Sequence, residues 1–80
     1  QITSIDISPK GDRIVALSYG KLFIFTDFTW DDFTTGNMQE IDLGARSQLE
    51  SVCFLNDDTL LISDEKAHSE GGNLYTYSIK

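Results

Sequence analysis

Three carboxylates at the ends of one predicted β-hairpin are the residues best suited to chemistry. Residues 48–65 read as a strand with Glu50 near its start, a turn at residues 56–58, and a second strand ending in Asp64 and Glu65. Antiparallel pairing brings the start of one strand to the end of the next, so we expect these side chains at one sheet edge. Carboxylate oxygens are the ligands that Ca²⁺ prefers, usually about six to eight of them. The hairpin therefore predicts a partial calcium or substrate site. The alternative is that Glu50 pairs with a basic side chain or a backbone N–H of a neighbouring unit.

The other candidates for chemistry are weaker. His68 lies in a polar segment with Glu65 and Glu70 nearby, but no second His or Cys stands at the spacing of metal ligands, so we expect a solvated loop histidine. Cys53 lies inside an apolar strand, which predicts a buried, unreactive thiol. The sequence holds no G-x-S-x-G motif, no Cys–His pair and no phosphate-binding glycine loop. No catalytic residue is predicted, and no cofactor other than Ca²⁺.

Composition and charge limit the class of partner. The chain has 80 residues, with 13 acidic and 6 basic side chains and a net charge of −7. The basic residues are scattered, so a polyanion such as DNA or RNA would be repelled. The longest uninterrupted apolar runs, such as residues 14–17, are far shorter than the roughly 20 residues of a membrane helix. We therefore expect one small globular unit at most, with neither a nucleic-acid partner nor a membrane span.

Short apolar segments separated by turn residues predict an all-β chain. Alternating or β-branched segments, which are typical of strands, cover residues 2–7, 13–18, 22–26, 38–43, 49–54, 59–63 and 73–77. Residues 8–11 and 19–21 read as turns, because proline presets φ and glycine tolerates positive φ. Such short connections favour antiparallel meanders. No segment shows a helical period, so no helix is predicted.

The loop of residues 27–37 mixes aromatic and acidic side chains. Phe28, Trp30 and Phe33 alternate with carboxylates, a combination able to stack on a sugar ring while the acids accept its hydroxyls. The interpretation that we prefer is that the three rings pack over the outer strands as a small satellite core.

The chain repeats one unit about twice. Residues 2–7 align with 49–54, residues 13–17 with 59–63, and residues 21–25 with 73–77. An insertion at residues 66–72 lengthens the second unit. We therefore divide the chain into a four-stranded unit, residues 1–44, and a three-stranded unit, residues 45–80, which lacks the outer strand. A repeat of roughly 45–50 residues with four short strands is typical of a β-propeller blade.

Two segments resemble a known family. The pieces I-T-S-I-D-I-S-P-K-G-D-R-I-V-A-L-S-Y-G-K-L-F-I-F and Q-L-E-S-V-C-F-L-N-D-D-T-L-L-I-S-D-E resemble the last two blades of secreted bacterial β-propellers of largely unknown function. More distantly, the second piece is similar to blades of β-propeller phytases and of esterase-like phytase proteins. The resemblance implies a secreted, periplasmic or cell-surface protein, of which the chain is the C-terminal part. The remaining blades, or copies of the chain itself, would then cover its exposed strand edges.

The resemblance also implies roles for carboxylates on the first strand of each unit. First strands line the central channel of a propeller, which makes Asp6 and Glu50 channel-lining candidates. Glu50 matches a position that in phytase-like propellers resembles a calcium ligand, whereas the first unit carries Thr3 there.

Three functions are open on this basis. The one that we prefer is a fragment of a secreted β-propeller that acts as a binding or interaction scaffold of unknown ligand. The second is a calcium-dependent, phytase-like phosphoesterase, which would need more carboxylates and basic groups in other blades. The third is an intracellular WD-repeat-like scaffold. The Trp-Asp pair that is typical of WD repeats is present as Trp30 and Asp31, but it lies in a loop without a preceding Gly-His. Its position argues against this third function.

Overall fold

The computed structural model of the chain describes residues 2–29, 32, 36–44, 49–64 and 74–79. The strands in this part are β1 (Ser4–Ile7), β2 (Arg13–Ser18), β3 (Lys21–Thr26), β4 (Asn37–Asp42), β5 (Leu49–Asn56), β6 (Thr59–Asp64) and β7 (Leu74–Ser78). The first sheet has the order β1-β2-β3-β4 and the second sheet the order β5-β6-β7, and every pairing is antiparallel. The predicted all-β class is confirmed, with each strand close to its predicted position.

The β1–β2 turn is closed by the buried side chain of Ser8. The N–H of Gly11 donates to the Ser8 carbonyl at 2.8 Å, and Gly11 has a φ of 78°. The Ser8 hydroxyl accepts from the N–H of Arg13 at 3.1 Å and donates to Oδ1 of Asp12 at 3.0 Å. Backbone polar groups that the chain reversal would leave unpaired are thus satisfied locally.

Tyr19 and Gly20 form the β2–β3 turn. Both have positive φ, 48° and 79°, and they connect the directly paired residues Ser18 and Lys21. A two-residue hairpin loop with positive φ at both positions matches the right-handed twist of the flanking strands. The predicted tight reversal is confirmed.

One face of each sheet contributes to a single shared core, which we call the inner face. Its fully buried members include Leu17, Leu22 and Leu60, and Val52 and Ile62 are 3% exposed. In the first sheet, cross-strand register places Leu17 beside Leu22 on this face. The second sheet adds Val52, Leu60 and Ile62 to the same cluster. Burial of these aliphatic side chains holds the two sheets face to face.

Candidate functional site

Strand register places Glu50 and Asp64 near the same edge of the second sheet. Leu49 pairs with Asp64, and the pairing shifts between Leu49 and Ser51, which places Glu50 at a bulge beside the end of β6. The Glu50 side chain is exposed. Oδ2 of Asp64 accepts a hydrogen bond from the Tyr75 hydroxyl at 2.9 Å. The predicted adjacency of the strand ends is confirmed, and Asp64 has a structural partner in β7.

The metal function of this edge stays a prediction. Glu65 lies outside the described residues. Within the described part of the chain, no three His, Cys, Asp or Glu side chains lie close enough together to hold a metal ion. Glu50 and Asp64 alone would supply only part of the oxygen shell that Ca²⁺ requires.

Asp6 joins the two sheets. Its Oδ2 accepts a hydrogen bond from the N–H of Phe54 at 2.8 Å, and the residue is half-buried. Two residues earlier, the Ser4 hydroxyl accepts from the N–H of Val52 at 3.0 Å and lies 3.3 Å from the Val52 carbonyl, to which it donates. Side chains of β1 thus satisfy the backbone of the β5 edge. Asp6 therefore makes the contact between a carboxylate and a neighbouring backbone N–H that was an alternative for Glu50.

A second set of contacts joins the turns of the two sheets. Nη1 of Arg13 donates to the Asp57 carbonyl at 2.8 Å and lies 3.5 Å from Oδ1 of Asp58. The backbone N–H of Lys10 donates to Oδ1 of Asp57 at 3.0 Å. The turn at residues 56–58, which the sequence indicates only as a reversal, therefore helps to hold the first sheet in place.

The prediction of a buried Cys53 is wrong, because its side chain is exposed. Cys53 pairs with Leu61 across β5 and β6, and both lie on the side of the second sheet that faces away from the core. Its neighbours Val52 and Phe54 point inward. An apolar run does not show which alternate residues face the core.

Other predicted features fall partly outside the described residues. His68, Trp30, Asp31 and Phe33 lie there, so the solvated histidine, the aromatic packing and the position of the Trp-Asp pair stay predictions. Phe28 is described and is half-buried.

The first sheet carries a second apolar face that the sequence pattern did not predict. Two cross-strand rows define it, Ile7–Ile14–Phe25–Met38 and Ile5–Ala16–Phe23. We call these residues the outer apolar face. Ile5, Ile7 and Met38 are 51%, 44% and 54% exposed. Large apolar side chains clustered on an exposed face are typical of an interaction surface.

Polar residues border the outer apolar face on one side. Glu40 continues the shorter row and forms an ion pair with Lys21 at 3.2 Å. In β1, isoleucines alternate with Ser4 and Asp6, and this alternation is the only signal of the face in the sequence of that strand. Polar residues commonly face solvent, so the alternation suggests that the isoleucines face the core. The structure shows the reverse, because Ser4 and Asp6 lie on the inner face and bind β5.

Comparison with known proteins yields no identification. No protein-family model matches the sequence, and no curated protein matches it either. Among the described residues there is no helix long and apolar enough to cross a membrane.

Proposed function

We propose that the chain is part of a secreted β-propeller that serves as a binding or interaction scaffold. The observation behind this proposal is the outer apolar face. One face of the first sheet is covered by the second sheet, whereas the other leaves Ile5, Ile7 and Met38 substantially exposed. A sheet that is apolar on both faces is suited to lie between two other layers. The repeated unit and the sequence resemblance support the β-propeller and its secretion.

Association of the chain in solution tests the scaffold function. We expect two copies of the wild-type chain to associate weakly through their outer apolar faces as the concentration rises, because each of these faces is uncovered. Met38→Lys places a charge on this face and should raise the dissociation constant roughly tenfold or more. Sedimentation velocity over a concentration series measures this change.

Leu55→Lys is the matched control for that experiment. Leu55 is 56% exposed, against 54% for Met38, and lies on β5 of the second sheet. The scaffold proposal is wrong if the wild-type chain stays a 9.0 kDa monomer at every concentration, or if both lysine variants weaken association equally.

A second candidate function is a calcium-dependent phosphoesterase. The observation in its favour is the position of Glu50 beside the end of β6, where Asp64 lies. If this edge contributes to a calcium site, Glu50→Gln should weaken Ca²⁺ binding by about tenfold, since a charged ligand is replaced by a neutral one. Isothermal titration of the chain with CaCl₂ measures the change. Equal heats for the wild type, Glu50→Gln and the distant control Glu40→Gln would exclude a role for Glu50.

A further inference from the structure

We propose that the outer apolar face takes one kind of partner, namely another antiparallel sheet whose edge strand carries a hydroxyl and a carboxylate two residues apart. These two side chains would accept hydrogen bonds from the backbone N–H groups of Ile5 and Ile7. The proposal rests on the proposed scaffold function and specifies the partner of that same face.

The contact between β1 and β5 shows how such a partner would bind the backbone of a strand edge. Ser4 and Asp6 present their side-chain oxygens to the N–H groups of Val52 and Phe54, at 3.0 and 2.8 Å. The acceptor at Asp6 is a carboxylate, which makes this hydrogen bond charge-assisted. A strand edge that would otherwise need a further strand is thus satisfied by two side chains from the facing sheet.

Ile5 and Ile7 occupy the same position in the first sheet as Val52 and Phe54 in the second. Residues 2–7 align with residues 49–54. The Ser8 N–H donates to the Arg13 carbonyl, and bonded pairs alternate along an antiparallel ladder. The N–H groups of Ile5 and Ile7 therefore point away from β2, toward the open edge of β1.

The side chains around these N–H groups correspond as well. In the second sheet, Val52, Phe54, Leu60 and Ile62 form the face that receives the first sheet. The aligned residues of the first sheet belong to the outer apolar face, and they are Ile5, Ile7, Ile14 and Ala16. Both the apolar surface and the two donors are therefore repeated, which indicates a partner like the inner face of the first sheet.

The second sheet of another copy of the chain does not fit this description. The side of the second sheet that faces away from the core has cross-strand rows in the same register as the inner face of the first sheet. The row Cys53–Leu61–Thr76 corresponds to Asp6–Val15–Ile24. The row Ser51–Ser63–Leu74 corresponds to Ser4–Leu17–Leu22. Cys53 supplies no carboxylate. The Ser51 hydroxyl is hydrogen-bonded to Ser63, where the first sheet has an apolar side chain. The partner is therefore a different sheet of this repeat type.

A gain-of-function variant tests the proposed partner chemistry. The triple substitution Cys53→Asp, Ser63→Leu and Thr76→Ile gives the second sheet the carboxylate and the apolar residues that it lacks, and it releases the Ser51 hydroxyl. We expect head-to-tail association of copies, because the altered face and the outer apolar face lie on different sheets. Sedimentation velocity should show a dissociation constant lower than that of the wild type by about tenfold or more.

Removal of one donor tests the hydrogen bonds. Ile7→Pro in the triple variant deletes an N–H that points away from β2, a place where an edge strand tolerates proline. We expect it to reverse the gain, whereas Ile7→Val, which keeps the N–H, should retain most of it. Far-UV circular dichroism tests whether each variant folds. If the triple variant does not fold, Cys53→Asp alone replaces it, because this substitution lies at an exposed position. It should give a smaller gain in the same direction.

The outcomes separate this inference from the scaffold function. A folded triple or single variant that associates no more tightly than the wild type overturns the partner chemistry. Association that Ile7→Pro leaves unchanged overturns recognition through the N–H groups. In either case the scaffold function is judged independently, by Met38→Lys against Leu55→Lys in the wild-type chain.

Discussion

At the scale of single residues, the polar side chains of β1 are the least expected feature. Ser4 and Asp6 lie on the inner face and bind the backbone of β5. Half-buried polar groups are stable there because each has a hydrogen-bond partner. Among the described residues, no buried side-chain nitrogen or oxygen lacks such a partner.

Truncation of Asp6 should destabilise the fold. Asp6→Ala leaves the N–H of Phe54 without its acceptor in a half-buried position, which should lower the free energy of unfolding by about 1–3 kcal/mol. Urea denaturation followed by circular dichroism measures the loss. Asp42→Ala is the control, since Asp42 accepts only a local bond from the N–H of Gly44 in an exposed turn. Equal losses for both variants would contradict the role given to Asp6.

The sequence identifies candidate carboxylates but does not show which of them is structural. Asp6 and Glu50 both lie on first strands, and only the relative position of the sheets gives Asp6 a backbone partner on β5. The prediction of a buried Cys53 is wrong for a related reason. In the run Val52-Cys53-Phe54 every residue is apolar, so local pattern does not distinguish the inward positions from the outward one.

At the scale of the elements, the positions of turns and strands were largely predictable. Gly20 follows a strand and precedes another, and its φ of 79° is one that glycine adopts without strain. The run Ile14–Leu17 is apolar at every position and was predicted as part of a strand, and its residues Val15, Ala16 and Leu17 are fully buried. Local sequence determines such features, because they depend on neighbours in the same hairpin.

The β2–β3 turn offers a direct test of this conformation. Gly20→Ala forces a side chain into the left-handed region and should cost roughly 1–2 kcal/mol of stability. Gly20→Asn should cost less, because asparagine adopts this region more readily. Thermal unfolding of the two variants beside the wild type gives the comparison. If alanine were tolerated as well as asparagine, Gly20 would not have the positive φ described.

At the scale of the whole molecule, the apolar surface is distributed unequally. The first sheet is apolar on its inner face and on its outer apolar face, whereas the outward side of the second sheet mixes Leu61 and Leu74 with Ser51, Ser63 and Thr76. The repeat is a prediction from the sequence. Which faces are covered was not predictable from it, because coverage depends on contacts between sheets that are distant in sequence.

The central claim is that these two sheets belong to a larger array of sheets, and the mass of the natural protein tests it most directly. Intact-mass spectrometry of the protein purified from its source, together with its molar mass in solution, should give a polypeptide several times larger than 9.0 kDa. A 9.0 kDa polypeptide that assembles into a ring of copies would keep the array of sheets but would contradict the inference that the second sheet of another copy does not fit the outer apolar face. A 9.0 kDa monomer with one cooperative thermal transition would contradict the account.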